Sequence, residues 1–353
     1  MSRIKARNTK KRVIKVLISI FLILLITTVA AAGTAFWYVN DKIGKMNSVE
    51  INKEELDISK NENLDKYRNI AIFGIDSRAD DYGKGNRSDC IIIASINTET
   101  YDVKLVSIYR DTYVQIDGRG LDKIAHAYSY GEAPLALKTL NKNLDLNITE
   151  FVTVNFDAVV DVVDALGGIK MKITSAEVQY INSYIDETSR VTGKKSEHIT
   201  KAGTYNLDGV QAVAYSRIRY TAGGDHKRTE RMRDVITAMI SKLKTKSLSE
   251  ITKIANSILK KIEKEKLAYT NLNLTDLFSM LPVLSNFNVA ESTGWPYNNK
   301  GAMINKISYG IPVTLESNVE QLHKEVFGDE DYKVPEKVKE ISDKIAKKSG
   351  YSK

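Results

Sequence analysis

Short apolar runs bounded by charged residues follow one another along the chain from about residue 67. Three runs of strand length come first, at Ile70–Ile75, Cys90–Ile96 and Val103–Tyr109. Runs of this length that are rich in isoleucine and valine are typical of buried β-strands. A fourth strand is predicted at Thr112–Ile116, before a turn at Asp117-Gly118.

Helical and strand patterns then alternate. The predicted order is a helix that follows Lys123–Tyr130, a strand at Phe151–Phe156, a helix capped by Asp157, a stop at Gly167-Gly168 and a strand at Ile169–Ile173. Alternation of the two periods is typical of an α/β fold. The sequence therefore predicts an α/β domain.

The second half of the chain has a less regular pattern. Residues 175–202 are polar and are predicted to cross the surface. Val213–Tyr220 is predicted as a strand, and a long amphipathic helix is predicted from Asp225 to about Lys244. Residues 250–285 have a helical pattern, and residues 286–318 are expected to form short strands that end the domain.

Charge changes the picture at the N-terminus. The chain carries a formal charge of +8, and seven basic residues without an acid lie within residues 1–15. Without these seven, 45 basic residues remain against 44 acidic residues. A nearly neutral domain argues against nucleic-acid binding, and a basic arm of this size has no means of reading bases.

An uncharged stretch of 24 residues, Val16–Val39, follows the basic tail. As a helix it would extend about 36 Å, more than the roughly 30 Å of a hydrocarbon core. Trp37 and Tyr38 occupy interfacial positions, and the basic tail predicts a cytoplasmic N-terminus. A cleaved signal peptide is the alternative, although its apolar region is usually only about 7–15 residues long.

These observations divide the chain into five predicted segments. They are a cytoplasmic tail at 1–15, a transmembrane helix at 16–39, a juxtamembrane linker at 40–66, an extracytoplasmic domain at 67–318 and a polar C-terminal tail at 319–353. Within this tail, residues 329–353 are expected to be poorly ordered or to form a solvated helix. Cys90 is the only cysteine, so no intramolecular disulfide stabilises the domain.

Charged side chains are concentrated where the first three strands begin or end. They are Asp76 and Arg78 after the first strand, Arg87 and Asp89 before the second, and Arg110 and Asp111 after the third. Strand ends are the usual ligand-binding positions of α/β proteins. We therefore expect a functional site there.

Four further arginines are predicted to join this site. In a strand at Val213–Tyr220, Arg217 and Arg219 would project from the same face. Arg228 and Arg231 continue the apolar stripe of the following helix towards its N-terminus, where the helix dipole disfavours cations. An anionic ligand is therefore expected to face them.

Phosphate oxygens suit guanidinium groups, and a pyrophosphate has enough oxygens to bind several of them. Asp76 and Asp89 would repel a phosphate unless they hold Mg²⁺, or Mn²⁺, beside it. The alternative is that these arginines and acids only form surface salt bridges. The four histidines lack metal-ligand spacing, and neither a Walker loop nor a G-x-S-x-G elbow is present.

Seven ordered motifs resemble those of the LytR-CpsA-Psr family. They are FGIDSR at Phe73–Arg78, NRSDCIIIASIN at Asn86–Asn97, VSIYRDT at Val106–Thr112, KIAHAYSYG at Lys123–Gly131, VVDALGGI at Val162–Ile169, NLDGVQAVAYSRIR at Asn206–Arg219 and GDHKRTERMRDVI at Gly224–Ile236. The resemblance implies an α/β/α sandwich with a central mixed β-sheet and an apolar tunnel for a polyprenyl chain. It also implies one preceding N-terminal transmembrane helix.

The resemblance implies an extracytoplasmic phosphotransferase at a Gram-positive cell membrane. Its donor would be a glycopolymer linked by pyrophosphate to a polyprenol, and its acceptor a hydroxyl of peptidoglycan. Asp76 and Asp89 match the magnesium-associated acids of the family. The positions implied to surround the pyrophosphate are Arg78, Arg87, Arg110, Lys123, Arg217, Arg219, Arg228 and Arg231.

Three positions depart from the family pattern. Tyr109 stands where proline usually precedes the Arg-Asp pair, Ala125 replaces an asparagine, and Met232 replaces a glutamine. The general base stays open between Asp89 and Asp111. Three alternatives to the transferase are a polyprenyl-pyrophosphate hydrolase, a non-catalytic protein that binds wall polymer or lipid, and a membrane-bound transcriptional attenuator.

Overall fold

A six-stranded mixed β-sheet lies at the centre of the computed structural model, which describes residues 50–75, 82–265, 268–272 and 288–351. The strands are β1 Tyr67–Ile75, β2 Ser88–Asn97, β3 Asp102–Ile108, β4 Tyr113–Ile116, β5 Gly120–Lys123, β6 Glu150–Val154, β7 Ile169–Ile173, β8 Gly203–Leu207, β9 Ala268–Thr270, β10 Asn288–Trp295, β11 Asn299–Ile304 and β12 Ile307–Pro312. The central sheet has the order β10-β3-β2-β1-β6-β9. Three two-stranded sheets, β4-β5, β7-β8 and β11-β12, surround it.

Helices surround this sheet. Within the described part of the chain they are α1 Ile124–Leu144, α2 Phe156–Ala165, α3 Ser175–Thr192, α4 Gly209–Arg217, α5 Gly224–Lys244, α6 Leu248–Glu265, α7 Leu315–Phe327 and α8 Glu336–Ser349. Two short 3₁₀ helices, Lys53–Glu55 and Glu62–Lys66, precede β1.

Both faces of the sheet are buried. Neighbouring residues of a strand point to opposite faces, so consecutive buried residues show that both faces are covered. Ile91 and Ile93 of β2 join the main core with α1, α7 and α8. Ile92, between them, belongs to a second cluster with Met232 and Ile236 of α5. Burial on both faces explains why these strands are continuous apolar runs. The parallel and antiparallel pairs within the sheet confirm the predicted α/β class with a central mixed sheet.

The prediction of a strand at Val213–Tyr220 is wrong. Asp208 and Gln211 form a reciprocal capping box that starts helix α4 at Gly209. Nearly every side chain from Val210 to Tyr215 is buried, so the segment shows no one-sided helical stripe. A helix that is apolar on all sides resembles a buried strand in its sequence pattern.

Two other local predictions need correction. The cap of α2 is Asn155, whose side chain accepts from the Ala158 N–H, and Asp157 lies in the first turn. The polar segment 175–202 contains helix α3, which begins with a capping box of Thr174 and Glu177. Ile181 and Ile185 of α3 are buried, so this segment contributes to the core.

The ends of the described structure also differ from expectation. Leu56 and Leu64, in the predicted linker, are fully buried in the main core. Residues 329–353 were expected to be poorly ordered or solvated, but Val338 and Ile345 of α8 are buried in the same core. The helical prediction for 250–285 holds for α6, whereas 268–270 form strand β9.

Several predictions lie outside the described residues. They include the basic tail, the apolar stretch Val16–Val39, and the site residues Asp76 and Arg78. None of the helices in the described ranges combines the length and the apolar character needed to span a membrane.

Candidate active site

The strand ends converge as the sequence pattern predicts. Because β1 and β2 are antiparallel, Gly74 near the end of β1 lies opposite Cys90 near the start of β2. Strand β3 is antiparallel to β2, so it ends beside the same point. As a result, Arg110 Nη1 donates to Asp89 Oδ1 at 2.7 Å.

Arg110 connects three carboxylates. Besides Asp89, its Nε lies 3.2 Å from Asp225 Oδ2 and 3.8 Å from Asp111 Oδ2. Burial lowers the pKa of Arg110, but Asp89 and Asp225 outweigh this effect and raise the pKa above its usual value. Arg110 is therefore a permanent, firmly held cation at the centre of the site.

Asp225 belongs to the site but was not predicted from the sequence. It lies in the first turn of α5, where a carboxylate is favoured by the helix dipole. Its Oδ2 lies 3.2 Å from Arg228 Nη2, and its Oδ1 lies 4.0 Å from Arg219 Nε. An acid in a first turn, three residues before Arg228, was the available signal.

Arg228 is fully buried and incompletely bonded. Its Nη2 donates to Asp225 and, at 3.4 Å, to the backbone oxygen of Asp89. Among the described residues, its buried Nε has no hydrogen-bond partner. Burial lowers the pKa of Arg228, and the nearby Arg110 and Arg219 oppose its charge. An anion beside this guanidinium would offset these costs.

Arg217 and Arg219 reach the site from the end of α4. Arg219 Nη2 lies 3.7 Å from Asp89 Oδ2, and its side chain is 44% exposed. Arg217 instead pairs with Glu187 at 3.1 Å and lies over the Phe156 ring. The helix therefore separates two arginines that the predicted strand would have placed side by side.

The remaining predicted basic residues have different surroundings. Arg231 pairs with the buried Glu177 at 2.9 Å and does not line the site. Lys123, the residue before α1, donates to Asp111 Oδ1 at 2.7 Å. Arg87 is exposed one residue before β2. We call Arg110, Arg219 and Arg228, together with Asp89 and Asp225, the arginine–aspartate cluster.

An apolar cavity of about 490 Å³ opens beside this cluster. It lies between the sheet and helices α2, α3, α4 and α5, and its charged lining residues include Asp89, Arg217, Arg219 and Arg228. Its apolar lining includes Ile72, Val159, Val162, Val213, Met232, Val235, Ile236 and Met239. The cavity thus combines a mainly apolar lining with three arginines, as an amphiphile with an anionic head would require.

The donor set of the site is compatible with Mg²⁺. Mg²⁺ usually binds one or two carboxylates together with substrate phosphates. Asp89 supplies one such carboxylate, and Asp76, the other predicted ligand, lies outside the described residues. In the described ranges, no group of three or more His, Cys, Asp or Glu side chains is arranged to hold a metal by itself.

The chain is similar to known proteins over most of its length. Residues 33–326 match the LytR_cpsA_psr family. The chain is 30% identical over 313 residues to polyisoprenyl-teichoic acid–peptidoglycan teichoic acid transferase TagT of Bacillus subtilis (strain 168), covering 86% of this chain and 93% of the relative. It is 31% identical to the transferase TagU of Enterococcus faecalis, covering 70% and 77%.

A solved structure described as TagT bound to LIIa-WTA superposes with a TM-score of 0.55 at 25% identity, covering 83% of this chain and 94% of that one. Its mixed α/β architecture is that of the present structure. Taken with the match over residues 33–326, these similarities show that the chain belongs to the LytR-CpsA-Psr family.

Proposed function

We propose that this protein is an extracytoplasmic phosphotransferase. It moves a glycopolymer with one phosphate from a polyprenyl-pyrophosphate carrier to a hydroxyl group of peptidoglycan. The names of its relatives TagT and TagU support this reaction class. The observation in this chain that carries the proposal is the apolar cavity whose lining includes three arginines.

The cavity binds the hydrocarbon chain of the donor, and the arginine–aspartate cluster binds its pyrophosphate. The hydrocarbon chain lies along Val159, Val213 and Met239, where burial of each methylene contributes about 0.8 kcal/mol. The pyrophosphate lies beside Arg228, whose Nε has no hydrogen-bond partner among the described residues. Arg219, whose side chain is 44% exposed, binds the same group.

Phosphoryl transfer requires mainly positioning and the neutralisation of spreading charge. Arg110 is suited to this role because Asp89 and Asp225 hold its guanidinium rigidly. The acceptor oxygen attacks the phosphorus that bears the glycan, and polyprenyl phosphate leaves. Asp76 and Asp89 would hold Mg²⁺, which supplies additional positive charge to the phosphate oxygens when bound.

Anchoring through residues 16–39 belongs to the same proposal. A transmembrane helix there keeps the domain beside a lipid-borne donor and raises the effective donor concentration. The basic residues 1–15 would remain in the cytoplasm and the domain outside it, at the surface of a Gram-positive cell.

Transfer is tested with the full-length protein in detergent micelles, a polyprenyl-pyrophosphoryl oligosaccharide, Mg²⁺ and peptidoglycan oligomers. We expect glycan phosphate on the acceptor, with kcat lowered about 10²- to 10³-fold in Arg110→Ala and in Asp89→Ala. EDTA is expected to abolish transfer. Met303→Ala, at a 66% exposed position on β11, is the control and keeps the wild-type rate.

The other outcomes are equally specific. Release of soluble glycan phosphate and polyprenyl phosphate, without a glycan adduct on the acceptor, would identify a polyprenyl-pyrophosphate hydrolase. Tight donor binding without any turnover would identify a binding protein. Full activity in the presence of EDTA would contradict the metal requirement but leave the transferase intact.

A further inference from the structure

A second, smaller cavity of about 60 Å³ lies beside the arginine–aspartate cluster. We call it the Tyr109 pocket; its lining includes Tyr109, Asp111, Asp225, His226, Asn299 and Gly310. Arg110 connects the two cavities, since its Nη1 bonds to Asp89 at the apolar cavity and its Nε faces Asp225 at the Tyr109 pocket. A group in this pocket therefore lies across Arg110 from the donor lipid.

The aromatic wall of the pocket is fixed by its neighbours. The Tyr109 and His226 rings lie 4.1 Å apart between centroids. Gly294 of β10 makes room for Tyr109, because a Cβ at that position would lie 2.2 Å from the tyrosine oxygen. Tyr109 is also one of the departures from the family pattern, which usually has proline there. The aromatic wall therefore distinguishes the present chain from the usual family pattern, which has proline at this position.

The chemistry of the lining is that of a saccharide site. Two carboxylates accept hydrogen bonds from hydroxyl groups, and the Asn299 amide both donates and accepts. An aromatic wall packs against the C–H face of a sugar ring. A lipid would find few apolar partners here, and the carboxylates would repel a phosphate.

The three aspartates near Arg110 differ in how available they are as a general base. Asp89 lines the apolar cavity, on the donor side. Asp225 is enclosed by Arg110, Arg219 and Arg228. Asp111 is 39% exposed, and among the described residues its Oδ2 has no hydrogen bond, since Lys123 binds Oδ1 and Arg110 remains at 3.8 Å.

We propose that the Tyr109 pocket is the acceptor subsite, that it takes the hydroxyl-bearing part of a saccharide, and that Asp111 accepts the proton of that hydroxyl. This inference rests on the proposed transferase function. The O–H bond breaks as its proton passes to Asp111 Oδ2, and the oxygen forms a bond to the phosphorus that bears the glycan. The bond between that phosphorus and the bridging oxygen breaks, and polyprenyl phosphate leaves with the electron pair.

Tyr109→Ala tests the subsite in the full-length protein. Steady-state transfer is measured against peptidoglycan oligomer concentration. Donor affinity is measured separately, as the binding of farnesyl pyrophosphate. We expect the acceptor KM to rise about 10-fold, as for the loss of one aromatic contact, with donor affinity unchanged. Tyr109→Phe keeps the ring and is expected to keep the wild-type KM.

Asp111→Asn tests the proton acceptor. General-base catalysis contributes about 10²- to 10⁴-fold, so kcat is expected to fall at least 10²-fold while the acceptor KM changes little. Met303→Ala, on the same hairpin as Asn299, is the matched control. An unchanged KM in Tyr109→Ala, or an unchanged kcat in Asp111→Asn, would overturn the corresponding assignment.

Direct binding of the peptidoglycan oligomer separates this inference from the reaction. If the wild type binds the oligomer and Tyr109→Ala does not, the subsite stands even when no transfer is detected. If Tyr109→Ala weakens farnesyl pyrophosphate binding to the same extent as oligomer binding, the ring only supports the fold, and the subsite is rejected.

Discussion

At the scale of single residues, two buried arginines of α5 have opposite environments. Arg231 is fully satisfied by Glu177, by the Ile218 carbonyl and by Thr221. Arg228, three residues earlier, has a buried Nε that finds no partner within the described part of the chain, and burial lowers its pKa. The first arginine therefore stabilises the fold, and the second is available to a ligand.

This contrast predicts that substitution by methionine has different effects on stability and on ligand binding at the two positions. Arg231→Met leaves Glu177 as an uncompensated buried charge, so it is expected to lower the free energy of unfolding by about 3–5 kcal/mol. Arg228→Met is expected to leave stability unchanged or raised, and to weaken farnesyl pyrophosphate binding at least 10-fold. Urea denaturation and ligand titration measure the two effects. Equal stability losses in both variants would contradict this division of roles.

Cys90 allows a second prediction at this scale. It lines the apolar cavity, and burial raises the pKa of its thiol to about 12. Because a raised pKa keeps the thiol protonated at pH 8, its reaction with iodoacetamide is expected to be about 10³-fold slower than that of free cysteine. Mass spectrometry follows the labelling, and unfolding in urea restores the ordinary rate. Rapid labelling of the folded protein would contradict the raised pKa of the Cys90 thiol.

At the scale of elements, the reliability of the sequence prediction follows from burial. The three strands β1, β2 and β3 were recognisable because both of their faces are covered, which makes their apolar runs continuous. Helix α4 was not recognisable, because burial on nearly all sides removes its one-sided stripe. Its capping box at Asp208 and Gln211 was the only local helix signal.

The candidate site was predictable to a similar degree. The positions of the strand ends predict that Asp89 and Arg110 lie close together, because such a prediction needs only the order and direction of neighbouring strands. It did not find Asp225, which approaches from a helix distant in sequence. Nor did the apolar stripe of α5 distinguish Arg231 from Arg228, because a stripe shows burial but not the partner.

Helix α8 carries the prediction that belongs to this scale. Ile341 is 3% exposed and packs into the main core, whereas Lys344 on the same helix is exposed. Ile341→Ala is expected to lower the free energy of unfolding by about 2–5 kcal/mol, and Lys344→Ala by less than about 0.5 kcal/mol. Urea denaturation distinguishes them. Equal, small effects would show that the C-terminal segment is not part of the cooperative unit.

At the scale of the whole molecule, the cavity joins elements that are far apart in the chain. Its lining comes from β1, β2, α2, α3, α4 and α5, and it includes Arg219 and Arg228, which are proposed to hold the head group. A ligand that fills it therefore connects both halves of the fold. Binding at 100 times Kd is worth about 2.7 kcal/mol of stability, so a bound donor is expected to stabilise the whole domain.

The two parts of this donor site are separable by ligand and by variant. Burying five methylene equivalents at about 0.8 kcal/mol each predicts that farnesyl pyrophosphate binds about 10³-fold more tightly than inorganic pyrophosphate. Val159→Trp adds bulk to the apolar lining of the cavity and leaves the arginine–aspartate cluster chemically unchanged. It is expected to weaken farnesyl pyrophosphate binding more than 10-fold and to leave inorganic pyrophosphate binding unchanged. Met303→Trp, at an exposed position, is the control for added bulk. If Val159→Trp weakens both ligands equally, the substitution has disturbed the head-group site, and if it weakens neither, the hydrocarbon chain lies elsewhere.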